Sequence, residues 1–227
     1  MDYAQEAINS LLWIAKTLAM TAVVFSFSIF LLVRFTHWGK QFWQFAGGYL
    51  SPRRSIKPLL FFLLIVAMTL VSVRISLVHS EWYNNMYTSL QEFNEPVFWD
   101  QMVLFCVIAT SSVMTALLSY YLEQRFSINW IEWLNSQLVD KWMDNRAYYK
   151  TQYVSANLDN PDQRIQQDVQ SYVRTSLSLS TGVIDAVTSM ISYTILLWGL
   201  AGPIMVFGTE IPRMMVFLVF AYVIITT

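Results

Sequence analysis

Apolar residues along this chain gather into runs that fit membrane crossings, separated by polar stretches whose charge alternates in sign. The first run, Thr17 to Val33, is long enough to cross a hydrocarbon core of ~30 Å at ~1.5 Å per residue. Asp2 and Glu6 precede it where a secretory leader carries basic residues, and no small-residue cleavage site follows. It predicts a retained membrane helix, with Lys16 snorkelling from its outer edge. A basic, aromatic segment runs from Arg34 to Lys57, where Gly47-Gly48 and Ser51-Pro52 are expected to break the helical pattern. The second span, about 59–78, is interrupted only by Arg74, and the third covers 101–122. Between them, Ser80 to Asp100 holds four acidic residues and no Lys or Arg. After a polar stretch comes a fourth span, 176–200, then a short turn at Gly202-Pro203 and a fifth apolar run, 214–227. That last run is shorter than the ~20 residues a spanning helix needs, so the chain reads as stopping inside a helix.

Loop charges orient this pattern. Segments 34–57 and 123–175 carry five and six Lys/Arg, whereas 1–10, 80–100 and 202–212 carry none. The positive-inside rule then places the N-terminus outside and both basic segments in the cytoplasm. Composition agrees with a helical membrane protein: 56% of the 227 residues are hydrophobic, 16% aromatic and 13% charged, against about 25% charged in soluble domains. The net charge of −1 gives no field for nucleic acid. Cys106 stands alone, as do His37 and His79, so neither a disulfide, a metal-ligand cluster nor a nucleophile–base pair is legible.

Two helices should overshoot the bilayer. Glu123 to Met143 contains no Pro or Gly, and Ile131, Leu134, Leu138 and Trp142 recur at helical spacing. From Pro96 to Asn145 the helix would measure roughly 75 Å, so the bilayer covers less than half of it. The return begins at Asp159-Asn160-Pro161-Asp162-Gln163-Arg164. Asn160 suits the N-cap, Pro161 the first helical position and Gln163 the capping box, while Asp162 and Asp168 complement the helix dipole. This chemistry by itself needs only a good helix start. Two overshooting helices joined by a short turn also form a lever able to pass movement between a cytoplasmic partner and the membrane. Tyr148, Tyr149 and Tyr153 near the turn suit either a partner-facing surface or the packing of the two stems.

The blocks WYNNMYTSLQEFNEPVFW, WIEWLNSQLVDKWMDNRAYYK, DNPDQRIQQDV and SLSLSTGVIDAVTSMISYTILLWGLAG resemble the SbmA/BacA-like and YddA-like bacterial transporters. These share a membrane domain with the peroxisomal fatty-acyl ABC transporters. The resemblance runs from about Phe42 to the end. It implies an all-α membrane protein: part of a type IV ABC exporter-like transmembrane domain, with long helices extending into the cytoplasm, in the inner membrane as a homodimer. Residues 1–40 would be an extra N-terminal transmembrane helix and 41–227 an incomplete transmembrane domain. The segment Tyr148 to Arg164 would form the first intracellular loop and its coupling helix, resting in ATP-driven members on a nucleotide-binding domain. No GxxxxGK[ST] phosphate loop occurs here, and Gly39-Lys40 lacks its flanking residues. No cofactor is therefore assigned to this chain: ATP is expected only through a nucleotide-binding domain or subunit, and the chain reads as truncated before it.

Arg74 and Asp185 lie deepest in apolar sequence, where charges are functional candidates. Their depths, ~24 and ~14 Å from the cytoplasmic side at helical rise, argue against a bridge between them. Arg74 is expected to snorkel outward. Asp185 is expected to face a polar cavity or a dimer partner, serving a substrate or proton pathway or else a helix-packing hydrogen bond. Three readings stay open: an ABC-type transporter of a peptide, cobalamin-like or lipid-like solute, a proton-coupled SbmA/BacA-type peptide importer, and an inactive or scaffold membrane fragment.

Overall fold

A computed structural model describes residues 3–51, 55–144, 161–201, 204–206, 209–211 and 213–226. Among them the chain is an all-α membrane protein with one small hairpin. Helices α1 (Tyr3–Phe35), α2 (His37–Leu50), α3 (Lys57–Gln91), α4 (Glu95–Met143) and α5 (Pro161–Leu200) are followed by strands β1 (Ile204–Val206) and β2 (Thr209–Ile211), then α6 (Met214–Thr226). The strands pair antiparallel, Ile204 opposite Ile211 and Val206 opposite Thr209. Helices α1, α3, α4 and α5 are long and apolar enough to cross a membrane; α6, with 13 residues, is a shorter apolar helix.

Both expected overshooting helices are present. Helix α4 has 49 residues, or ~73 Å of rise, and α5 has 40, or ~60 Å, against a hydrocarbon core of ~30 Å. Local chemistry sets their starts. The Asn94 side chain caps α4 by accepting from the Val97 N–H, with Pro96 in the first turn, and α5 begins at Pro161, where a missing N–H costs nothing. The acidic stretch between the second and third spans is not a loop. Helix α3 runs through it to Gln91 and α4 starts at Glu95, leaving a three-residue turn. Phe93 makes that turn at φ 52 while the Asn94 N–H donates back to the Ser89 carbonyl at 2.9 Å.

A second departure concerns Gly47 and Gly48, which lie inside α2 rather than ending it. A Cβ on Gly48 would sit 2.8 Å from the Trp133 ring of α4, so its absence lets that ring lie against α2. The helix does stop at Leu50, with Ser51 as C-cap before Pro52. The bend between α1 and α2 is held by Thr36, whose hydroxyl donates to the Leu32 carbonyl (2.6 Å) and accepts from the Gly39 N–H (3.0 Å). Gly39 is buried there, and a Cβ on it would strike the Leu32 carbonyl.

The largest buried cluster sits at the basic end of the bundle. It joins Ala46 and Tyr49 of α2, Ile65 of α3, Leu122, Phe126, Trp130 and Leu134 of α4, and Val169, Val173 and Leu177 of α5. A smaller one joins Val66 and Leu70 of α3 to Ile184 of α5, with Leu18 and Phe25 of α1 packed on it.

Candidate functional site

Helix α2 forms a collar on the stems of α4 and α5, at the level where they leave the apolar spans. Tyr49 stacks on Trp130, ring centroids 5.7 Å apart and planes 5° from parallel, and meets Phe126 edge-on at 5.7 Å. Tyr172 of α5 lies against Phe42 and Phe45, each at 5.7 Å, and its hydroxyl donates to the Phe42 carbonyl at 2.9 Å. Trp130 closes the triangle edge-on to Tyr172 at 6.0 Å. Aromatic side chains suit this work because each buries a large area and adds an oriented ring contact. The consequence is mechanical: a displacement of either stem is shared with the other and with α2. None of these collar residues stood out as a candidate in the sequence. Their signal was the recurrence of Trp38, Phe42, Phe45 and Tyr49 at helical spacing.

The residues expected to couple movement fall at and before the start of α5. Gln163, Arg164 and Asp168 are exposed on its first turns, clear of the collar. Pro161 and Asp162 are helical, consistent with their positions as first-turn residues. Tyr148, Tyr149, Tyr153 and Asn160 lie outside the described residues.

Of the two charges within the spans, Arg74 is engaged inside the bundle. Its Nε donates to Ser10 Oγ of α1 at 3.1 Å, and its guanidinium lies 6.0 Å from the Trp13 ring centroid. This ties α1 to the acidic half of α3, away from Asp185. Asp185 is exposed on α5, with no partner for its carboxylate among the described residues. The two faces of α5 differ. Val169, Val173, Leu177 and Ile184 are buried against the bundle. A different face presents Arg174, Ser178, Gly182 and Asp185 outward, beside an open groove of about 540 Å³. Helix α4 shows apolar residues instead, including Val103, Val113, Met114 and Leu117, each more than half exposed.

Comparison with known proteins agrees with this architecture. Residues 46–227 match the family described as ABC transporter transmembrane region 2. An ABC transporter ATP-binding protein of Haemophilus influenzae is 83% identical over the whole chain, which spans 38% of that relative's length. The inner membrane ABC transporter ATP-binding protein YddA of Escherichia coli is 32% identical over 66% of this chain and 28% of its own length. The human lysosomal cobalamin transporter is 28% identical over 70% of this chain and 27% of its own length. Four helices fit to cross a membrane, two of them overshooting into a clasped pair of stems, accord with that match. The chain belongs to the ABC transporter transmembrane region family, as a multi-pass membrane domain.

Proposed function

We propose that this chain is the membrane-spanning part of an ABC-type transporter that moves a peptide, cobalamin-like or lipid-like solute across the inner membrane. It works as a homodimer, driven by a nucleotide-binding domain or subunit that carries the ATP chemistry. The observation that supports this reading most is the clasped pair of stems. Helices α4 and α5 run well beyond a bilayer's thickness at the same end, α2 locks them together through Tyr49, Trp130 and Tyr172, and Gln163, Arg164 and Asp168 are left exposed where α5 begins. A stiff pair of levers with polar residues exposed where α5 begins can convert a push there into a tilt in the membrane. The coupling segment would comprise Tyr148, Tyr149 and Asn160 to Arg164, with Asp168 one turn further on.

The test is crosslinking. A Gln163→Cys variant, with Cys106→Ala as background, should form a specific crosslink to the nucleotide-binding domain, and vanadate should block transport. A crosslink-free tip together with vanadate-insensitive transport would overturn the ATP-driven version. A proton-coupled version keeps one observation in its favour, the exposed intramembrane carboxylate of Asp185. In that case collapse of the proton gradient, and Asp185→Asn, should each stop transport while vanadate does not.

A further inference from the structure

From Gln167 the α5 sequence steps by three or four residues through Ser171, Arg174, Ser178, Gly182, Asp185, Ser189 and Ser192. Steps of that size keep to one face of a helix. The stripe thus runs from Gln167 to Ser192, ~38 Å at helical rise, and its last part crosses the apolar span. Every member is polar or glycine, and all are exposed or half-exposed in the bundle. Nothing lies within 4 Å of a Cβ built on Gly182, so the stripe is open at its middle. Ser178, Asp185, Ser189 and Ser192 have no side-chain hydrogen bond among the described residues, although serines facing lipid or a helix partner usually bond back to their own helix or across the interface.

Lipid, a second copy of this chain, a further helix of the same transmembrane domain, and water could each cover such a face. Lipid is disfavoured, since a carboxylate at the centre of a bilayer costs about 2.5–3.5 kcal/mol even on the most lenient scale. A second copy of α5 related by a two-fold axis along the membrane normal would bring residues of equal depth together, setting Asp185 against Asp185 and Arg174 against Arg174. Like charges at that distance repel. A further helix would have to present partners of matching sign and spacing along the whole stripe, whereas water satisfies every group on it.

We propose that this face of α5 lines a water-filled path, with Arg174 and Asp185 as two charge-recognition points of opposite sign. They are 11 residues apart, ~16 Å along the helix. The matching solute is an elongated, water-soluble molecule with a positive group at the Asp185 level and a negative one at the Arg174 level. This deepens the transport reading and rests on it for the word solute, but its test does not need transport to occur.

The experiment uses the full chain in membrane vesicles, in a Cys106→Ala background, with single cysteines at Ser178 and Ser189. Val187→Cys and Met190→Cys, on exposed apolar faces of the same helix and within two residues of Ser189, serve as controls at its depth. Each is labelled with the trimethylammonium-ethyl and sulfonato-ethyl methanethiosulfonates. Both stripe cysteines should react at least tenfold faster than the controls. The cationic reagent should be favoured at Ser189→Cys and the anionic one at Ser178→Cys, by about tenfold in rate ratio for a unit charge ~6 Å away. Asp185→Asn should flatten the preference at Ser189→Cys and leave that at Ser178→Cys. Stripe cysteines no more reactive than the controls, or oxidising instead to a disulfide-linked dimer, would overturn the water path. Equal charge preference at both positions would overturn the two recognition points. A wet, charge-sorted stripe in a chain that moves no solute would instead count against the transport reading alone.

Discussion

The two ends of the bundle are held together in different ways. At the basic end α2, α3, α4 and α5 share one dense cluster in which Phe126 and Val173 are fully buried and the rings of Tyr49, Phe126, Trp130 and Tyr172 touch in sequence. At the acidic end the described helices join through smaller, separate contacts: Arg74 ties α1 to α3, and α3 meets α4 around Trp82. The Trp82 indole N–H donates to the Gln101 carbonyl at 2.8 Å, Trp82 stacks on His79 and Phe105, and a three-residue turn closes the pair. The difference teaches where stiffness is needed. On the transport reading proposed above, stems that carry movement must be rigid, because compliance there would absorb it, whereas the far hairpin needs only its register held.

Several substitutions would break or sharpen this contrast, all read as thermal unfolding shifts of the purified chain in nanodiscs. The largest effect is expected from Phe126→Ala, which empties the centre of the basic-end cluster and should cost about 3–5 kcal/mol. If it costs no more than an acidic-end variant, the two ends are not unequal. Gly39→Ala should follow at about 1–3 kcal/mol, since its Cβ meets the Leu32 carbonyl and forces α2 off its angle to α1. Loosening of the collar should accompany it as faster proteolysis near Lys57. Trp82→Phe keeps the ring stack and removes the hydrogen bond to Gln101, so about 1 kcal/mol is expected, confined to faster amide exchange in α3–α4 near the turn. The smallest change should come from Phe93→Gly, a gain of roughly 0.5–1 kcal/mol. Phe93 is 93% exposed at φ 52, a backbone conformation that costs a side-chain-bearing residue more than glycine. A loss there would mean the ring is anchored by something outside the chain.

Much of the fold was legible because short-range chemistry decides it. Pro96 and Pro161 can only open helices, Asn94 can only cap one, and the apolar runs are too long for anything but membrane crossings. Gly47-Gly48 misled for the opposite reason. A glycine pair usually weakens a helix, but here Gly48 is set by the Trp133 ring of a helix more than eighty residues away, and no local rule carries that information. The acidic stretch was similarly misleading, since charge says which side a segment lies on and nothing about whether it is coiled. Asp185 was visible as a lone charge. That it shares a face with Arg174, Ser178 and Ser189 was also written in the spacing, but which α5 face the bundle covers was not.

What the amino-acid order determined by itself is the set of helices, their lengths and the overshoot, since these follow from hydrogen bonding, caps and hydrophobic runs within each segment. What only the tertiary structure decided is the collar and the open stripe. Both depend on which faces meet, and that is settled by ring packing and close approach between residues as far apart as Phe42 and Tyr172.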